Sequence, residues 1–250
     1  VSAEMAVSGM TGRWRTVTRF AVAGAIGVIA LVLVCVKAPW FLPTGWGFAA
    51  IAVAIGKRRI FLPGMTRSSD AIVCRYVPWY EGNAFLLNVG LPLGALLGTA
   101  ASFSRGYPVW PRFVAIVLLL MWPLMLYATF RMWRRCSLRF TPSTLTIRVA
   151  DPRQRPGELP RERVEAITPK WIANSVSGVR ALQVEIAYRP EDSTTDELNT
   201  VLLGLQLTVE PINLYSALVT WKDGADADPI QLMDRIEEIL RGRSISVAST

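Results

Sequence analysis

The chain has 250 residues, of which 52% are hydrophobic and only 18% charged. Ordinary soluble domains carry about a quarter charged residues, so composition argues against a soluble protein. There is no histidine, which removes the commonest general base and metal ligand. The three cysteines, Cys35, Cys74 and Cys136, show no disulfide, metal or redox spacing.

The net charge of +8 lies entirely before Arg131, where 11 basic residues face 3 acids; from Arg131 onward there are 16 of each. The excess falls between apolar runs, where it reads as a topology signal and not as a nucleic-acid footprint. No nucleic-acid partner is expected.

Residues 1–19 form a basic N-terminal segment ending in Arg13, Arg15 and Arg19. Uncharged runs then occupy residues 20–36, 38–56, 82–104 and 113–130. A bilayer core of ~30 Å needs about 20 helical residues and at least about 17. Four spans are expected, near 20–36, 44–60, 84–104 and 111–131, within a membrane domain of residues 20–135. Pro39 and Pro43 make the second the weakest, complete or re-entrant. The first run has no small-residue cleavage site followed by a polar chain, so it reads as an anchor, not a signal peptide.

Two hairpins would put Arg13, Arg15, Arg19, Lys57, Arg58, Arg59, Arg67, Arg75, Arg131, Arg134 and Arg135 on one side. Only Lys37, Arg105 and Arg112 would lie on the other. The positive-inside rule then predicts the cytoplasmic (inner) membrane with both termini in the cytoplasm. Trp40, Trp46, Trp79, Tyr80, Tyr107, Trp110 and Trp133 flank the runs, as interfacial aromatics do.

Gly90, Gly94 and Gly98 fall on one face of the third run and would let another helix approach closely. That helix belongs either to this chain or to a partner subunit. Pro92 and Pro123 are expected to bend their helices. The charges within the expected spans lie at their ends (Lys57, Arg58, Arg59, Arg112 and Arg131) and none lies at mid-membrane depth; Asn83 and Asn88 are the strongly polar groups of the third run. The connecting segment 60–83 mixes apolar residues with Arg67 and Arg75. It would lie on the membrane surface or pack against the C-terminal domain.

Residues 136–250 read as a cytoplasmic α+β domain. Apolar residues alternate at Leu145, Ile147 and Val149, at Leu182, Val184, Ile186 and Tyr188, and at Leu203, Leu205, Leu207 and Val209. That is the period of half-buried strands. Shorter strands are expected at 137–140 and 163–167, with a turn at Thr141-Pro142-Ser143. A helix over 212–222 would bury Leu214, Leu218 and Trp221. A second would start at Asp228 and Pro229, with Gln231 as capping-box partner and a stripe of Ile230, Met233, Ile236 and Leu240, stopping at Gly242. Arg148, Arg153, Arg155, Arg161 and Arg163 are candidate contacts for anionic headgroups or a partner. Residues 190–199 read as a flexible loop.

The stretch from Leu138 to Arg148, followed by that from Leu159 to Ile167, resembles the start of bacterial pleckstrin-homology-like (PH-like) domains, which often follow a transmembrane hairpin. The whole arrangement, with 23 Arg to 4 Lys, is similar to conserved actinobacterial membrane proteins, and within them to accessory subunits of Mce-type lipid importers. The resemblance implies a lipid-importer permease and membrane lipids as partners.

No nucleotide loop, dinucleotide fingerprint, zinc spacing or nucleophile elbow occurs, so neither an enzyme nor a cofactor is expected. The expected function is a non-enzymatic accessory or scaffold subunit of a membrane protein complex, with a place in lipid transport. One alternative is a stand-alone lipid-binding or sensing module. A second is a small transporter using Asn83, Asn88, Pro92 and Pro123.

Overall fold

The computed structural model describes residues 2–56, 59–103, 110–149, 157–173, 180–190, 198–204 and 206–242. The chain forms two compact units, Val1–Arg59 with Glu81–Ala128, and Ile60–Tyr80 with Thr129–Thr250. The second therefore gathers a segment from between the apolar runs as well as the region from 136 onward.

The first unit is helical. Helix α1 runs Ser2–Cys35, because nothing before Val36 interrupts it. It ends where Lys37 adopts φ 54°, with Lys37 N–H donating to the Val34 carbonyl and Ala38 N–H to the Leu33 carbonyl, both at 3.0 Å. These are the two bonds of a Schellman cap. Helix α2, Phe41–Ile55, packs against α1. Pro43 sits in its first turn, where backbone N–H groups have no helical partner to lose. The helix stops at Gly56, φ 68°, so the second run is shorter than the expected span of 44–60. Its 15 residues reach about 22 Å.

The third run forms one helix, Gly82–Ser102, made of α3 (Gly82–Phe85), a π turn (Leu86–Gly90) and α4 (Leu91–Ser102). Pro92 explains the π turn. It has no N–H to give the Asn88 carbonyl four residues back, and Leu91 N–H reaches past it to the Leu86 carbonyl. The freed Asn88 carbonyl accepts the indole N–H of Trp122, at 3.1 Å. Trp122 lies on α5, Trp110–Arg135.

Among the described residues, three helical stretches are long and apolar enough to cross a membrane: Thr16–Cys35, Gly82–Ser102 and Arg112–Arg135. Their large apolar side chains stay open, with Leu31 67% and Leu120 74% exposed. In water, each would forgo roughly 1.5–3 kcal/mol of burial; lipid removes that penalty.

The second unit is built of antiparallel strands. Strands β1 (Met65–Ser68), β2 (Ala71–Arg75), β3 (Ser137–Phe140), β4 (Thr144–Arg148) and β5 (Gly157–Pro160) form one sheet in sequence order. Strands β6 (Val164–Ala173), β7 (Arg180–Tyr188) and β8 (Asn199–Leu203) form a second. Helix α6, Pro211–Asp223, packs on β6 and β7, and α7, Pro229–Leu240, packs on α6. Leu214, Leu218 and Trp221 of α6 are fully buried. The Trp221 indole N–H donates to the Thr141 carbonyl at 2.7 Å, in the turn that the sequence located at 141–143.

Several strand and helix expectations change in detail. The alternation at 203–209 does not continue as a strand: β8 ends at Leu203, and Gly204 takes φ 144°. Leu207 and Val209 are still buried, but that stretch bonds to residues 64 and 75–77, as described below. Strand β6 extends well past the expected 167. Asp228 does precede α7, yet its side chain makes no capping bond. Ile230 is 68% exposed and leaves the expected stripe, while Leu232 joins Met233, Ile236 and Leu240 in the core. Gly242, φ 71°, follows the last turn. Most of the loop at 190–199 lies outside the described residues.

An ion cluster ties β1 to α7. Arg67 Nη1 donates to Glu237 at 2.8 Å and also to Asp234. Arg241 Nη2 donates to Glu237 at 2.7 Å. The hydrogen bond from Arg67 is the main cause that holds the Glu237 carboxyl below its ordinary 4.5; desolvation opposes it, and the hydrogen bond from Arg241 adds to it.

Two outcomes follow. Trp122→Phe leaves the Asn88 carbonyl without its donor, and should lower the stability of the detergent-solubilised chain by about 1–2 kcal/mol, read as a fall in melting temperature. A carboxyl with a depressed folded pKa stabilises above its unfolded value and loses that contribution as pH falls through the folded one. Glu237→Gln should therefore be less stable than wild type at neutral pH, with the gap closing on titration below pH 4.5.

Candidate functional site

The segment Ile60–Tyr80 becomes part of a sheet for local reasons first. Ser69 and Asp70 make a two-residue turn between paired Ser68 and Ala71, and the β-branched pair Ile72-Val73 favours the strand that follows. Ile72 and Cys74 point inward and are fully buried. Burial pushes the Cys74 thiol up to about 12, so it stays protonated. The alternation sends Arg75 outward.

Strand β2 then pairs with β3, Cys74 opposite Leu138 and Arg75 opposite Ser137. The far side of this segment is held by residue 208. Gly64 N–H donates to the Thr208 carbonyl at 2.6 Å, Arg75 N–H to the Gly64 carbonyl at 2.6 Å, and Thr208 N–H to the Arg75 carbonyl at 3.3 Å. Val77 N–H donates to Thr208 Oγ1 at 2.8 Å. Thr208 is fully buried, and its backbone and hydroxyl are both bonded. Gly64 is needed here, since a Cβ would lie 2.5 Å from the Arg75 carbonyl oxygen.

This register sets three outward side chains in one row. Arg75 lies opposite Ser137, and Ser137 lies opposite Arg148. The end of α5 adds Phe130, Trp133 and Arg134, and together these residues and Cys136 line a groove of about 470 Å³. Arg75, Arg134 and Arg148 are exposed, and none makes an ion pair among the described residues. Among the described residues, no carboxylate lines the groove. Trp133 stacks edge-on against Trp79, centroids 5.0 Å apart, and against Phe130 at 5.9 Å. The Arg134 guanidinium lies 5.5 Å from the Phe130 ring centre.

Of the arginines singled out from sequence, Arg148 belongs to this groove. Arg161 does not. Its guanidinium lies 5.1 Å from the Trp221 ring centre and donates to the Pro142 carbonyl, so it locks the β3–β4 turn onto the core. Partial burial lowers its pKa from the ordinary value, with the charge retained at neutral pH. Arg163 ends a short 3-10 turn before β6, and its carbonyl accepts Arg189 N–H at 3.0 Å. Arg153 and Arg155 lie outside the described residues. Arg75 and Arg134 were not among the candidates, because only strand register and the end of α5 bring them to Arg148.

The three glycines separate as well. A Cβ on Gly90 would collide with the Phe48 ring of α2, and one on Gly98 would meet Ala115 of α5 at 3.8 Å. Gly90 thus admits the Phe48 ring, whereas the contact at Gly98 is an ordinary one that an alanine would also make. A Cβ on Gly94 would meet nothing within 4 Å.

Comparison with protein-family models, with curated proteins and with solved structures gave no match. The fold itself defines the class: a membrane-associated protein with several long apolar helices and a separate domain containing β-sheet.

Gly64→Ala should destabilise the sheet domain by about 1–3 kcal/mol through backbone overpacking. Thermal unfolding of the purified full chain checks this, and an unchanged melting temperature would show that residues 64–77 are not clamped by Thr208.

Proposed function

We propose that the chain is a non-enzymatic accessory or scaffold subunit of a larger integral-membrane complex. It crosses the cytoplasmic membrane four times, as two hairpins, and carries a PH-like domain on the cytoplasmic face. The observation that carries this reading is the joint sheet of Ile60–Tyr80 and the region after Thr129. A bilayer cannot pass through a hydrogen-bonded sheet, so both segments belong on one side of the membrane. The chain between them must then cross an even number of times, which matches the two apolar helices Gly82–Ser102 and Arg112–Arg135.

The first hairpin is supported by its ends. Gly56, at the close of α2, lies against the Arg19 side chain near the start of the apolar part of α1, so α2 returns to the level where that part begins. A crossing shorter than the bilayer core is accommodated by local thinning. The arginine distribution favours the cytoplasm for the domain and both termini. Two antiparallel sheets followed by helices over one core support the PH-like reading. Gly94 offers α4 a site for close approach by a partner helix. Resemblance to Mce-type systems points to a lipid-importer permease as that partner.

A stand-alone lipid-binding module is the second reading, favoured by groove arginines that make no ion pair among the described residues. The transporter reading has less support, because the Asn88 amide bonds the Ala84 carbonyl at 2.8 Å and its own carbonyl takes Trp122.

Purification of the full chain in mild detergent, with mass spectrometry of bound proteins, should recover stoichiometric membrane partners. Gly94→Leu should lose them at unchanged yield, whereas Gly90→Leu should impair the chain itself through Phe48. A monodisperse chain without partners, or labelling of a cysteine introduced at Ser69 only from outside the cell, would overturn the proposal.

A further inference from the structure

We infer that the groove at the end of α5 binds the phosphate of an anionic phospholipid headgroup, held between Arg75 and Arg148 over Ser137, with Arg134 closing one side. This rests on α5 crossing the bilayer, which both readings above share.

The geometry comes from the sheet. Arg75 and Arg148 flank Ser137 on adjacent strands, so their Cα atoms are about 9.6 Å apart, two strand spacings. A small hydroxyl side chain lies between two forked cations. Guanidinium pairs recognise phosphate by parallel N–H donors, and the serine hydroxyl adds one donor at the floor. A larger residue at 137 would fill the gap.

The electrostatics favour an anion. The nearby helix C-terminus carries about −0.5 of a charge, opposed by three guanidiniums lining the groove with no carboxylate among the lining residues.

The source of the phosphate follows from the other wall. The groove opens beside the last turns of an apolar helix, and Phe130 and Trp133 line it together with the arginines. Trp133 also stacks on Trp79, which is 52% exposed. Amphipathic rings of this kind prefer the headgroup layer. A free phosphate would need only the arginines. A phospholipid also uses the aromatic wall, against which its glycerol and first acyl carbons can lie.

The test uses the full chain in neutral detergent and native mass spectrometry. Phosphatidylglycerol and phosphatidylcholine are offered at equal concentration, with glycerol 1-phosphate as soluble competitor. Wild type should retain phosphatidylglycerol about tenfold more than phosphatidylcholine, as expected for charge-assisted bonds. The Arg75→Gln/Arg148→Gln double variant should lose that preference. Ser137→Leu should lose it too while keeping every charge, and Arg180→Gln, on β7 in the other sheet, should not. Melting temperatures confirm folding, and Ser137→Leu decides the matter if the double variant unfolds.

Equal retention of the two lipids by wild type, or an unchanged preference in Ser137→Leu, would overturn the inference. Displacement of lipid by equimolar glycerol 1-phosphate would overturn the lipid source. The assay does not depend on which side the domain faces or on any partner protein, so its failure is distinct from that of the scaffold proposal.

Discussion

Three backbone hydrogen bonds around Gly64, Arg75 and Thr208, together with the β2–β3 ladder, hold a loop between membrane helices inside a domain whose other residues begin some fifty positions later. Backbone N–H and C=O groups buried without partners cost free energy, so this arrangement is not a loose association. Without β2, the β3 edge would stand open and the inward faces of Leu138 and Phe140 would lose Ile72 and Cys74 as neighbours. The apolar helices between the two segments are thus an insertion into one sheet domain.

Inside the helical unit the same requirement, that backbone polar groups find partners where no water is available, explains features that look irregular. Pro92 withholds a donor, the helix widens into a π turn, and an indole from α5 supplies the missing bond. Gly90 lies beside it and admits Phe48 of α2. One proline and one glycine, two positions apart, therefore join the third run to both of its neighbours. The same positions in sequence suggested a bend and a face for close approach by a helix of this chain or of a partner. Their contacts show a packing node, with Gly94 left open on that face.

The long apolar runs were legible because length and lack of charge are local properties, and so were the strands at 144–148 and 180–188, whose alternation is strict. What stayed hidden is non-local. Residues 65–75 carry a turn and β-branched residues, but nothing in that stretch says that its partner lies at 137–140. Residues 203–209 alternate as a strand would, yet Gly204 turns the chain away and the inward residues are buried by the inserted segment. The basic residues were grouped by proximity in sequence, which joined Arg148 to Arg161 and Arg163. Register groups them differently: Arg148 faces across Ser137 to Arg75, seventy-three positions earlier, while Arg161 turns inward onto Trp221.

That regrouping bears on why the row exists at all. If the two guanidiniums stood as far apart as their Cα atoms, about 9.6 Å, they would repel by roughly 0.4 kcal/mol in bulk water and by about 1.7 kcal/mol at an effective dielectric of 20, typical near a protein surface. A neutral residue at either position would relieve that repulsion without disturbing the buried face of the sheet, since both side chains point outward. A single negative charge midway, about 5 Å from each, would gain roughly 3 kcal/mol from each arginine at the same dielectric, twice over against one repulsion. With an anion in place the row stabilises the sheet that carries it; without one, Arg75 and Arg148 work against it.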